Sequence, residues 1–316
     1  MRKILLLGPV LLLSCSTSQI DPVMVRFEEM EEDLREITQE DGAVSALHFL
    51  QERVTAEPAL ADVCHGLSHI AGEAAFERYG IEQALLFEED VCGSGYVHGV
   101  VESYLAEIDD LEAVLLSLCP ADAAKCFHGI GHGLMDRSKN DIPGSLALCS
   151  RFPERFQKVQ CAEGVFMENF DADQKSHSSL FLKKDDPFFP CRGQETMYEG
   201  VCAFYAPRYY LRLHPQAYDD ALLWCDTLPG TSPDACVKGV GAVATKQHIN
   251  EPLFVESLCN SVEGERQPYC IEGLASYYIV HYASSSKGRE MCGSLQDTNT
   301  AHCLKIAAES AKVYPE

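Results

Sequence analysis

The chain lacks any apolar run long enough to cross a bilayer. A hydrocarbon core of about 30 Å needs roughly 20 apolar residues, and the stretch Ile4 to Leu13 offers only ten. Basic residues are also scarce. There are 25 Lys and Arg against 48 Asp and Glu, a formal net charge of −23. So acidic a surface excludes nucleic acid and makes an anionic membrane surface a poor partner. Alternating apolar and polar runs are few, which argues against a sheet. No Cys-x-x-Cys pair is present to form zinc-knuckle corners. P-loop, Gly-x-Ser-x-Gly, His-Glu-x-x-His and haem-attaching Cys-x-x-Cys-His motifs are missing as well, and no Gly-x-Gly-x-x-Gly stands between a strand and a helix.

Cysteine, in contrast, is abundant, with fifteen in 316 residues. Such usage marks either an exported, disulfide-rich chain or a metal binder. The N-terminus favours export. Arg2 and Lys3 precede the apolar run, which has the length of a signal-peptide core. The run ends Leu12-Leu13-Ser14-Cys15, which resembles the bacterial lipobox; an ordinary signal peptide with an incidental Cys is the alternative. The lipobox resemblance implies that residues 1–14 are removed and that Cys15 is lipidated, with palmitate among its acyl chains. Residues 15–24 would then form a tether in a bacterial cell envelope. Ser16, which is not Asp, points to the outer rather than the inner membrane. Fourteen cysteines remain, an even number suited to pairing in an oxidising compartment.

Their spacing reveals a repeat. From Cys191 to Cys303 the gaps run 11, 23, 11, 23, 11, 22 and 11. A second marker recurs at similar steps: His65-Gly66, His98-Gly99, His128-Gly129, Glu163-Gly164, Glu199-Gly200, Lys238-Gly239 and Glu272-Gly273. Each unit of about 34 residues reads as a helix carrying this marker, a turn, and a second helix that ends near Cys, as in Leu111 to Cys119. Such hairpins bury a core only by stacking. The sequence predicts an all-α fold: a right-handed α/α solenoid of about seven helix pairs over residues 64–316, capped by an acidic helical segment at 25–63. The fourth unit, polar from Asp171 to Ser179 and then a loop from Lys183 to Pro190, should have a short or missing second helix. Short loops join each closing Cys to the next opening one. The expected bridges are Cys119–Cys126, Cys149–Cys161, Cys191–Cys202, Cys225–Cys236, Cys259–Cys270 and Cys292–Cys303, with Cys64–Cys92 left by elimination. The array resembles the cysteine-rich Sel1-like and TPR-like helical-repeat lipoproteins of bacteria, in architecture only. Their consensus is absent, so no functional residue carries over.

The first three units hold the chemistry. His65 and His69, His98 and Glu102, and His128 and His132 are i, i+4 pairs, each on one helix face. The equivalent pairs of later units are Glu163/Met167, Glu199/Ala203, Lys238/Ala242 and Glu272/Ser276. The scaffold persists while the imidazoles do not, so they serve something besides folding. Stacking would bring the six side chains together as ligands of a transition metal such as Zn, Fe, Cu or Mn. Glu73 and Asp136, eight residues after His65 and His128, would orient them or complete a dinuclear site. A buried His/Glu hydrogen-bond ladder, or histidines sensing pH, would leave the same pattern.

The glycine after each marker costs about 1 kcal/mol inside a helix, which implies close helix approach. Tyr198, Phe204, Tyr205, Tyr209 and Tyr210 read as core, or as a groove with Arg208, Arg212 and Lys238. His48, His177, His214, His248, His281 and His302 share no register and read as surface or packing residues. Two functions follow. One is a lipid-anchored metal-binding protein, either a carrier or a metal-dependent enzyme. The other is a protein- or peptide-binding scaffold that uses its concave face.

Overall fold

A computed structural model describes residues 22–57, 60, 63–87, 91–171, 179–262 and 264–314. The lipobox, the signal peptide and His177 lie outside these residues. The described residues form helices and no β-strand; one isolated bridge joins Lys183 and Asp186. No helix among them is long and apolar enough to cross a membrane.

The N-terminal cap is α1 (Pro22–Glu40) and α2 (Ala43–Ala56), both packed on α3 (Cys64–Ala84). Met30 and Leu34 of α1 and Leu47 and Leu50 of α2 fall one helical turn apart and are buried. Then come the marker-bearing helices: α4 (Gly95–Glu107), α6 (Ala124–Ser138), α8 (Arg155–Asp171), α9 (Thr196–Leu213), α11 (Ser232–Gln247), α13 (Gln267–Tyr282) and α15 (Asp297–Ser310). Each packs on the next in chain order, beginning with α3 on α4. Between them lie the shorter second helices α5 (Leu111–Leu115), α7 (Ile142–Cys149), α10 (Tyr218–Asp226), α12 (Pro252–Asn260) and α14 (Ser285–Ser294). Proline in the first turn of α7, α10's successor α11, α12 and α13 helps to start those helices, because an N–H is dispensable there.

Helix α5 stops four residues short of Cys119, in a unit whose loop starts early. Among its described residues the first unit has no separate second helix. Gly80 (φ 72°) breaks α3, and one more turn follows. The fourth unit, as its composition predicts, shows only the 3-10 turn Phe189–Cys191 among its described residues. All seven expected disulfides are present, with Cα–Cα distances of 5.4 to 5.8 Å.

Five marker glycines, Gly99, Gly129, Gly164, Gly239 and Gly273, lie where neighbouring marker helices touch. A Cβ on Gly99 would sit 2.2 Å from the His69 carbonyl oxygen, and one on Gly164 only 2.0 Å from that of His128. No side chain fits at such distances, so glycine sets the helix spacing. The row also curls. Gly93, before α4, approaches Val280 of α13 so closely that a Cβ would lie 3.4 Å from its Cγ1. The Lys125 ammonium of α6 stands 5.4 Å from the ring centre of Tyr314, beyond α15. Early and late units therefore face each other across a central cavity.

Candidate metal centre

Helices α3, α4 and α6 bring their imidazoles together beside this cavity, which His65, His98 and His128 line. His98 is the hub. Its ring stacks 4.7 Å from that of His128 and 5.0 Å from that of His132, and meets His65 and His69 edge-on at 5.3 and 5.5 Å. His98 and His132 are buried, and ligand atoms of His65, His98 and His132 all lie within 4.8 Å of one another. All five histidines of the column thus meet in one cluster.

Hydrogen bonds behind the rings fix their orientation. His65 Nδ1 donates to the Cys92 carbonyl at 2.9 Å. His69 Nδ1 donates to Glu102 Oε2 at 3.2 Å, and His132 Nδ1 to Glu168 Oε2 at 2.7 Å. His128 Nδ1 lies 3.9 Å from Glu163 Oε2. With the hydrogen on Nδ1, neutral His65, His69 and His132 each offer a lone pair on Nε2. His65 Nε2 is 3.2 Å from His69 Nε2, and His128 Nε2, on a ring whose tautomer no short Nδ1 contact fixes, is 3.2 Å from His132 Nε2. The Nδ1 of His98 is buried without a hydrogen-bond partner.

The backbone supports this arrangement. Cys92, Gly93 and Ser94 all lie in the left-handed region, with φ of 57°, 71° and 66°. Cys92 and Ser94 are held there although they bear side chains, which is strain of the kind found where a carbonyl must be aimed. The Cys64–Cys92 bridge anchors that loop next to His65.

Burial pulls His65 well below its ordinary pKa, helped by the charges of His69, His132 and Lys246 and resisted by the Cys92 bond. Burial, then the four other imidazoles, does the same to His98. Burial lowers His128 to about 4, against the pull of Glu163. Burial also works against His69, but the hydrogen bond and charge of Glu102 outweigh it and raise that group. A mostly neutral cluster is the state that binds metal.

Comparison of the chain with protein-family models, with curated proteins and with solved structures finds no match in any of the three. What the site does must be read from its own geometry.

The acidic residues differ from expectation in detail. Glu102, expected as a ligand, stands behind His69 as its hydrogen-bond acceptor. Glu73 is tied to Arg35 of α1 at 2.7 Å and reaches His69 only through its charge, because the cap covers that face of α3. Asp136 is half-buried at the end of α6, where its carbonyl accepts from Lys139 N. Glu168 and the Cys92 carbonyl were not foreseen. Glu168 falls five residues after the marker, off the i+4 register, and a carbonyl leaves no mark in a sequence. Glu163 was visible as the next marker in the column after His128.

Beyond the histidines, Phe204, Tyr205 and Arg208 line the cavity, as does His281, which reads from sequence as a surface or packing residue. Tyr198 and Tyr209 are buried, and Tyr210 stacks on Trp224 at 4.7 Å. Arg212 lies over Tyr209, and Lys238 pairs with Glu272.

Proposed function

We propose that this is a transition-metal-binding protein whose ion is held by His65, His98 and His132, with His69 and His128 in reach to complete the shell. One observation carries the reading: two pairs of Nε2 atoms stand 3.2 Å apart, and in the His65–His69 pair both Nδ1 atoms already donate behind the rings. Two lone pairs at that distance repel unless a cation lies between them. Nitrogens sharing one ion through bonds of about 2.0–2.1 Å stand roughly 2.9–3.4 Å apart at octahedral or tetrahedral angles. The pairs already fit, and the wider trio would have to draw in by about 1.5 Å, within reach of small χ adjustments.

A proton in the His65–His69 gap is the competing cation, and in the other pair a neutral His128, whose Nδ1 is 3.9 Å from Glu163, can donate from Nε2 to His132; both arrangements still leave His98 Nδ1 orphaned. Imidazole donors suit Zn, Fe, Cu and Mn. A bound ion would supply Lewis acidity at one end of the cavity, which favours a catalytic or ligand-capturing role over simple storage.

The seven disulfides fit an oxidising, extracytoplasmic compartment. We extend this to a lipoprotein anchored through Cys15 in a bacterial envelope, in the outer membrane by preference. The support is the short basic and apolar leader and the Leu12-to-Cys15 sequence. The mass of the mature N-terminal peptide tests the anchor: an acylated Cys15 is expected, and an unmodified or differently cleaved terminus refutes it.

The metal reading is tested by mass spectrometry of the aerobically purified chain beside a His65→Ala/His132→Ala variant. Stoichiometric metal in the parent, lost in a variant with unchanged circular dichroism, is expected. A parent that holds none after incubation with Zn, Fe, Cu and Mn salts ends this reading and leaves the helical-repeat binding scaffold.

A further inference from the structure

The cavity of about 440 Å³ carries a second chemistry beside the imidazoles. Its size suits a small molecule, since such sites usually run from about 300 to 1,000 Å³. His65, His98 and His128 form one part of its lining. The later units contribute Arg208 from α9 and Lys246 from α11. The Arg208 guanidinium lies 5.0 Å over the Tyr205 ring and is paired with Asp171, a half-exposed carboxylate at the end of α8. Much of the remaining lining is apolar and aromatic: Phe156, Met167, Phe204, Tyr277, Val280 and Tyr314.

Charge in this cavity runs against the rest of the molecule. Its lining holds Lys125, Arg208 and Lys246 against Glu163 and Asp171. The chain as a whole carries nearly twice as many acidic as basic residues. Glu163 is engaged by Gln160 at 3.0 Å and faces His128. A positive, low-dielectric pocket inside an acidic protein focuses anions inward.

We propose that this cavity binds a small organic acid, its carboxylate held by Arg208 and Lys246 and its aromatic or apolar body reaching toward the histidine cluster. Arginine suits the carboxylate end because its planar donors match two oxygens. The carboxylate would share or displace Asp171, which already shows where an oxygen anion sits on Arg208. The inference deepens the metal reading and rests on it only for what the far end of the ligand meets.

The test is calorimetric titration of the mature, disulfide-intact chain, with metal content measured on the same sample. The ligands are 3-phenylpropanoate, the isosteric 3-phenylpropanamide and 3-phenylpropylamine. The acid is expected to bind at least tenfold more tightly than the amide, and the amine not at all. Lys246→Met, and separately Arg208→Gln/Asp171→Asn, should each weaken the acid at least tenfold with metal content unchanged. The paired variant avoids stranding Asp171, and Lys246→Met remains informative if it fails to fold. An amide as tight as the acid, indifference to Lys246→Met, or no binding by a metal-loaded chain would overturn the inference while sparing the metal centre. A chain without metal that binds the acid through these cations would sustain the inference and remove the metal reading.

Discussion

Replacing Gly164 by alanine tests whether glycine-set helix spacing builds the site. The new Cβ would lie 2.0 Å from the His128 carbonyl oxygen and 3.0 Å from the Gly131 Cα. Both are backbone atoms, so no rotamer change relieves the clash. α6 and α8 must part by about 1 Å, and overpacking of this kind costs about 1–3 kcal/mol. Gly200 holds the same column position one unit later, but a Cβ there meets nothing within 4 Å. Gly200→Ala should therefore gain roughly 0.5–1 kcal/mol from helix propensity alone. The two variants are expected to differ by about 2–4 kcal/mol in urea unfolding of the oxidised, metal-free chain, read by circular dichroism. The same parting moves Glu163 and Glu168 away from His128 and His132, so Gly164→Ala should also bind zinc more weakly, whereas Gly200→Ala should not. Equal unfolding midpoints, or a stabilised Gly164→Ala, would refute the spacing argument.

Other consequences follow from the hydrogen bonds behind the rings. Glu168→Gln removes the charge that fixes the His132 tautomer, and chelator competition should show zinc affinity falling about 10- to 100-fold. Removing the Cys64–Cys92 bridge by double alanine substitution should weaken zinc binding, because it frees the loop that holds the Cys92 carbonyl on His65. The same change at Cys259–Cys270 should lower stability by roughly 3 kcal/mol in denaturant titrations and leave zinc binding intact. Acid should destabilise the metal-free protein. His65, His98 and His128 have folded-state pKa values below the unfolded value near 6.5, so the unfolded chain takes up protons first as pH falls. Their contribution is complete above about pH 6.5 and declines toward pH 4. For His128, at about 4, the loss approaches ~3 kcal/mol. His69, raised, works in the opposite sense and offsets part of it. Calorimetry of the metal-free chain should give a lower Tm at pH 5 than at pH 7.5; a flat or inverted profile contradicts these directions.

The disulfide ladder was legible in the sequence because six of the seven bridges are local, with separations of 7 to 12 residues, which left Cys64–Cys92 by elimination. Cys225 and Cys236 are 11 residues apart, and one turn geometry repeated along the chain closes every such loop. The convergence of five histidines was legible for a related reason: equal positions in stacked units share a face. Partners that cross between units at unequal positions were not. Glu168 belongs to His132 only because of how α8 is rotated against α6, and Glu73 turns to Arg35 only because α1 covers that side of α3. The length of α5 also escaped, since Leu116 and Leu118 continue an apolar pattern that the helix does not follow.

Periodicity is silent above all on curvature. A repeat of about 34 residues is compatible with a straight rod as well as a tight curl, because small rotations per unit accumulate without leaving a trace in composition. Here the rotation brings Val280 against Gly93 and Tyr314 against Lys125. That closure gives the marker column its meaning. In a rod, imidazoles in the first three units and cations in later ones would be remote patches on one face. Around a cavity they become parts of one lining, with imidazoles of the first three units and cations of later ones within electrostatic reach of each other. The fourth unit serves both groups, through Glu163 and Glu168 toward the imidazoles and Asp171 toward Arg208.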